Sequence, residues 1–211
     1  LPEEARHAVV YGSGEEVILG RAQGLPVVYA MSWYRKFPVV VFAPKGSGLD
    51  TPAKLVGRKV GIPGLYGASY VGWKALVYAT KLDESQVRLE SIGFAQVAAV
   101  QSKQVDAALD YSVNGPVQMR LAGQEVDEIF ISDFVDLPSN GIITNDKTVA
   151  EQPELVHKFV RATLRGNVET ELAADPAEGD ADAGCGCAYP DWVGEAVVRR
   201  SNRILARLRG A

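Results

Sequence analysis

The sequence predicts an α/β fold in which mainly parallel sheets carry helices on their faces, and three observations support this. Short β-branched runs alternate with helical segments along most of the 211 residues, as in chains that wind strand and helix in turn. The run Phe37–Pro44 is apolar at consecutive positions, as suits a strand covered on both faces. The segment Lys59–Ser69 passes from an apolar strand through glycines into a helix, aiming unpaired backbone N–H groups at whatever lies before it.

In order, Ala8–Tyr11 reads as a strand, followed by Gly12-Ser13-Gly14 and a helix Glu15–Gln23 that Gly24 ends. Pro26–Met31 and Phe37–Pro44 are the next strands. Thr51 and Pro52 open a short helix as N-cap and first helical residue. The glycine junction leads into a helix Tyr70–Thr80, then an alternating strand Val87–Ile92 and an Ala-rich helix Ala95–Ser102. Asp106–Tyr111 is a strand with a polar end. It precedes a helix Asn114–Ala122, strands Glu128–Ser132 and Gly141–Thr144, and an amphipathic helix Pro153–Val168.

Composition narrows the function. Net charge is -4, from 22 basic and 26 acidic residues, which argues against the broad basic face of a nucleic-acid binder. No window reaches the roughly 18 unbroken apolar residues of a membrane span. Cys185 and Cys187 stand one residue apart, too close for an easy disulfide, and with His7 and His157 remote they offer no four-ligand metal set. The same scarcity of histidine leaves no Ser-His-Asp or Cys-His arrangement in a nucleophile context, so no catalytic residue, metal or cofactor is assigned.

Ligands of such sheets sit at the carboxyl ends of the strands. Those ends hold Ser13 and Glu15, Trp33 and Tyr34, Tyr66 with Gly67, Ala68 and Ser69, and Asp110, Tyr111 and Asn114. The four aromatics supply stacking walls, and the acids, Ser69 and Asn114 supply directional hydrogen bonds. Each residue taken singly also fits the rim of a core or a helix cap. As a set they describe a weakly charged, aromatic-walled site suited to a flat heterocycle.

The series Gly14-Glu15-Glu16-Val17, Arg21–Val28, Ser47–Gly61, Gln104–Ala107, Ala122–Val126, Gly141–Thr144 and Pro153–Ala162 resembles the solute-binding proteins of ABC importers. The branch it is most similar to holds the binders of thiamine pyrimidine precursors and of riboflavin, the NMT1/THI5-like family related to SsuA. The resemblance covers roughly residues 8 to 168. It implies a two-lobed type II periplasmic-binding-protein fold with a ligand cleft between lobes that close on a hinge. Lobe one would comprise residues 1–58 and 133–211, and lobe two residues 59–132. Trp33 and Tyr34 would then face Tyr66 and Tyr111. Ser69 and the N–H groups near Gly67 and Ala68 would receive a carbonyl or anionic edge, and Glu15 or Asp110 would accept from an amino or hydroxyl group.

The resemblance further implies a membrane permease as partner, a monomer, and a periplasmic or membrane-anchored extracellular location. Family members begin with strands and helices that nothing before Leu1 supplies, so the first sheet is expected to be incomplete. Residues 171–191 are acidic and poor in apolar groups, as in a loop or linker, and Glu195–Leu208 reads as a basic amphipathic helix that packs on lobe one. Other readings share the fold: a nitrate- or sulfonate-type anion binder using Arg35 and Lys36, a THI5-like pyrimidine synthase, and the ligand-sensing domain of a regulator. The synthase would need a cysteine-rich motif that Cys185-Gly186-Cys187 matches poorly.

Overall fold

The computed structural model describes residues 9–173. The linker at 171–191 beyond residue 173, Cys185, Cys187, the helix at 195–208 and His7 lie outside the described residues. The chain divides into two compact units, one built from residues up to 33 and from 140 onward, the other from Tyr34–Ser139.

The first unit holds β1 (Val10–Ser13), α1 (Gly14–Ala22), β2 (Val27–Ser32), β8 (Asn140–Asn145), α5 (Asp146–Glu151) and α6 (Pro153–Ala173). Its three strands lie in the order β1-β8-β2, and both pairings are antiparallel. The expected parallel sheet is therefore not what these three strands form. The physical reason is connectivity: β8 returns from the other unit and inserts between β1 and β2, running against both. A Cβ at Gly141 of β8 would collide with the carbonyl of Met31, where β2 is irregular between Tyr29 and Met31, so this close approach needs glycine. The core of this unit joins Ala30, Met31 and Ile142 to Val156 and Val160 of α6. Helix α5 was not foreseen; the side chain of Asn145 caps it, accepting from the N–H of Thr148 at 2.8 Å.

The second unit holds β3 (Val39–Pro44), β4 (Lys59–Ile62), α2 (Gly67–Thr80), β5 (Arg88–Ser91), α3 (Gln96–Gln101), β6 (Ala107–Tyr111), α4 (Gly115–Leu121) and β7 (Val126–Phe130). Thr51 leads into a 3-10 turn at Pro52–Leu55 but makes no side-chain cap bond. The sheet order is β5-β4-β6-β3-β7. β4 runs parallel to β5 and β6, whereas β3 runs antiparallel to β6 and β7. Strand β3 is buried throughout its apolar run, as its sequence predicts. Alternate residues serve opposite faces. Val39, Val41 and Ala43 join Trp73 and Leu76 of α2, and Val40 and Phe42 join Ala99, Val100 and Met119 of α3 and α4.

Because β3 lies inside this sheet, between β6 and β7, residues 34–58 belong with the second unit. The boundaries fall at 33/34 and 139/140, not at 58/59 and 132/133. A continuous apolar run reports cover on both faces and is silent about strand direction or about which sheet receives it.

Candidate functional site

In the first unit β1 and β2 both point their carboxyl ends toward the start of β8, since Ser13 lies opposite Asn140 and Ser32 opposite Gly141. The N–H of Trp33 donates to the carbonyl of Asn140 at 2.8 Å, extending that edge by one residue. Trp33 and Tyr11 meet edge to face, with ring centroids 5.3 Å apart and an interplanar angle of 85°. This geometry suits the positive edge of one ring against the negative face of the other. Sequence reasoning placed Trp33 here and missed Tyr11, although Tyr11 directly precedes the Gly12-Ser13 tip.

Glu15 follows at the second position of α1 and is only 4% exposed. Neither of its carboxylate oxygens has a hydrogen-bond partner. Burial pushes its carboxyl above the ordinary range. The backbone at Glu15 and then the neighbouring Ser13 hydroxyl pull it partly back, though neither stands in hydrogen-bond geometry to its oxygens, and the Glu16 charge adds to the rise. Ser13 itself is buried, and its side chain makes no cap bond to α1.

In the second unit the carboxyl ends of β4, β5, β6 and β7 and the start of β3 share one end of the sheet, with Val39 opposite Tyr111 and Val40 near Phe130. Tyr34 belongs to this unit. Its ring lies 6.3 Å from that of Tyr111, tilted by 59°. Ser139 fixes Tyr34 from both sides: its Oγ accepts from the Tyr34 N–H at 3.2 Å and donates to the Tyr34 carbonyl at 3.0 Å. Trp33 and Tyr34, neighbours in sequence, thus fall on either side of the unit boundary, in separate aromatic pairs. The expectation that both belong to lobe one is corrected by the same placement of β3.

Tyr66 stands 64% exposed just before α2, next to Leu65 at 61%, so neither ring nor side chain is taken up by the core. Gly67 has φ 67°, the left-handed turn that starts the helix. Ala68 and Ser69 are buried in the first turn of α2, whose N-cap Tyr66 offers no side-chain cap. The first N–H groups of α2 are left without an intrahelical acceptor by construction of any helix. Phe94, 82% exposed after β5, is a further aromatic at this end that sequence reasoning missed. Its signal was the Gly93-Phe94 turn beyond a strand parallel to β4.

Asp110 has a complete set of partners. Its oxygens accept from the N–H of Tyr111 at 2.7 Å, from Asn114 Nδ2 at 3.2 and 3.0 Å, and from the N–H of Gly115 at 3.0 Å. Burial raises its carboxyl, and those hydrogen bonds, led by that of Asn114, oppose the rise. Asn114 is similarly engaged, its Oδ1 accepting from Gln118 Nε2 at 2.7 Å. The Asp110–Asn114 pair therefore builds the start of α4.

Among the described residues no group of three or more His, Cys, Asp or Glu is placed to hold a metal ion, and no helix is long and apolar enough to cross a membrane. His157, the histidine among them, lies on α6 with Nε2 3.1 Å from Arg161 Nη2.

The two α/β units have the type II periplasmic-binding-protein fold, as likeness to solved structures shows. SsuA, the periplasmic aliphatic sulphonate binding protein of Escherichia coli, superposes with a TM-score of 0.60 at 16% identity, covering 98% of this chain and 62% of that one. A Bordetella bronchiseptica protein gives 0.58 at 20% identity over 77% of this chain and 54% of that one. These likenesses establish the fold. Residues 4–179 match the family described as NMT1/THI5 like, and the chain belongs to that family. It is 42% identical over 165 residues to the riboflavin-binding protein RibY of Chloroflexus aurantiacus, covering 78% of this chain and 47% of that protein. It is 32% identical over 155 residues to the formylaminopyrimidine-binding protein of Halalkalibacterium halodurans, covering 72% of this chain and 46% of that protein. The chain thus spans about half the length of the curated relatives it matches.

Proposed function

We propose that this chain belongs to the solute-capturing component of an ABC importer and takes a small heteroaromatic solute, riboflavin or a thiamine pyrimidine precursor. The observation that carries this reading is the pair of aromatic contacts, Tyr11 with Trp33 and Tyr34 with Tyr111, each at the strand ends of its own unit. Large aromatic faces at strand ends, where ligands of open α/β sheets bind, favour a flat ring over a sugar phosphate. The two named relatives, a riboflavin binder and a formylaminopyrimidine binder, support the same ligand class.

Glu15, Ser13, Ser69 and the N–H groups at Gly67 and Ala68 are the polar contacts in this reading. Tyr66 adds stacking area, and Asp110 and Asn114 act by holding Tyr111 and the start of α4. The role in this reading is binding without chemistry, which the two relatives named as binding proteins support. A membrane permease is the partner, the working form is a monomer, and the location is periplasmic or extracellular and membrane-anchored.

The test is a thermal melt of the purified chain with riboflavin, hydroxymethyl aminopyrimidine, its formylamino precursor, thiamine, nitrate or an alkanesulfonate. A ligand at ~100 times its Kd adds about 2.7 kcal/mol, which raises the midpoint by several degrees. A selective shift with the flavin or a pyrimidine is expected. A shift with nitrate or sulfonate alone would replace this reading with that of an anion binder.

A further inference from the structure

Two carboxylates were candidates for the acidic contact of the ligand, and the structure separates them. Asp110 accepts hydrogen bonds on both oxygens from its own helix start. Glu15, equally buried, has neither oxygen bonded. An unpaired buried carboxyl is costly, and a protein retains one where a partner arrives from outside. Its place sharpens what that partner is. Glu15 sits in the first turn of the nine-residue α1, beside the buried hydroxyl of Ser13, at the sheet end that also carries Trp33 and Tyr11. Among the described residues, the charge that acts on it is that of Glu16, which is also acidic. The two syn lone pairs of a carboxylate lie side by side and match two donors held next to each other on one molecule.

We infer that Glu15 is the acidic contact of the solute and takes a pair of adjacent hydrogen-bond donors: neighbouring hydroxyls of a polyol chain, or a ring amino group together with the hydroxyl or amide N–H of the substituent beside it. This rests on the solute-binding reading above and specifies its ligand chemistry. The imide edge of an isoalloxazine does not meet the requirement, because its single N–H is flanked by two carbonyls that would oppose the carboxylate. A flavin therefore presents its ribityl hydroxyls to Glu15, and an aminopyrimidine presents its amino group with the hydroxymethyl or formylaminomethyl donor beside it.

Calorimetric titration of the full chain and of Glu15→Gln tests this with two matched ligand pairs. One pair is riboflavin and lumiflavin, which share the ring but differ in the polyol chain. The other is hydroxymethyl aminopyrimidine and its des-amino analogue. The expected result is a loss of about 10- to 100-fold in affinity for the donor-bearing member of one pair, with less than about 2-fold change for its partner. The pair that responds identifies which donors Glu15 receives. Unchanged affinity in Glu15→Gln for a ligand that the parent binds would overturn the inference and leave the solute-binding reading standing. Failure of the parent to bind any of the four would overturn both. Ligand-free melts of Glu15→Gln and Glu15→Ala add a readout independent of ligand: melting at or above the parent is expected. A lower midpoint in both would show that Glu15 serves a partner within the protein, and would overturn the inference.

Discussion

Glu15 and Asp110 look alike in sequence, each an acid at a strand-to-helix junction, and the structure gives them opposite surroundings. Asp110 is enclosed by N–H donors from Tyr111, Asn114 and Gly115, so its burial is compensated within the fold. Glu15 is as deeply buried, and its oxygens have no such donors. The first acid builds α4. The second makes no such bond and, in the inference drawn above, receives a solute. A buried polar group with all its bonds made is evidence of architecture, whereas one with none points to function.

The largest effect should come from breaking the satisfied acid. Asp110→Ala leaves the N–H groups of Tyr111 and Gly115 and the amide of Asn114 without their acceptor in a buried place, and urea unfolding should show a loss of about 2–4 kcal/mol. A loss below about 1 kcal/mol would erase the distinction between the two acids.

Removing a stacking face comes next. Trp33→Ala should weaken solute binding by about 1–3 kcal/mol, by analogy with base stacking, and Tyr34→Ala should do the same from the other unit. Calorimetry on each variant checks whether both aromatic pairs serve the same ligand.

The unsatisfied acid should respond with the opposite sign. Glu15→Gln is expected to stabilise the ligand-free protein by about 1 kcal/mol at neutral pH. The pH dependence follows from the raised carboxyl of Glu15. With its folded-state value above the unfolded one, its stability contribution is fully present below the unfolded value of about 4.3 and is lost as pH rises through the folded value. The advantage of Glu15→Gln should therefore be small in acid and grow toward neutrality, as melts across a pH series would show. An advantage that shrinks as pH rises would mean that Glu15 is held ionised by a partner.

An exposed acid supplies the baseline. Asp146 pairs with Arg21 at 2.7 Å in the first unit, with both side chains about half exposed. Asp146→Asn should change stability by less than about 1 kcal/mol, and the difference should shrink further in salt.

Much of this was legible in the sequence, and the omissions have physical causes. Strands and helices were found close to their places because apolar periodicity, Gly and Pro mark them locally. Helix α5 escaped because its six residues carry no apolar period, only the Asn145 cap. The antiparallel pairings and the boundary at 33/34 were not legible, since the run Phe37–Pro44 encodes burial and not the direction of its neighbours. The site residues were named from strand ends alone, which gathered Trp33, Tyr34 and Tyr111 but passed over Tyr11 and Phe94. Periodicity also carries no information on whether a carboxyl finds its hydrogen bonds, so Glu15 and Asp110 could be told apart only in three dimensions.

The most direct measurement is a titration of riboflavin, and separately of hydroxymethyl aminopyrimidine, into the parent chain and into Tyr34→Ala, followed by calorimetry. Saturable one-to-one binding of one of them, weakened by about 5- to 100-fold in the variant, is the predicted result. No saturable binding of either ligand to a parent that melts cooperatively would contradict the account.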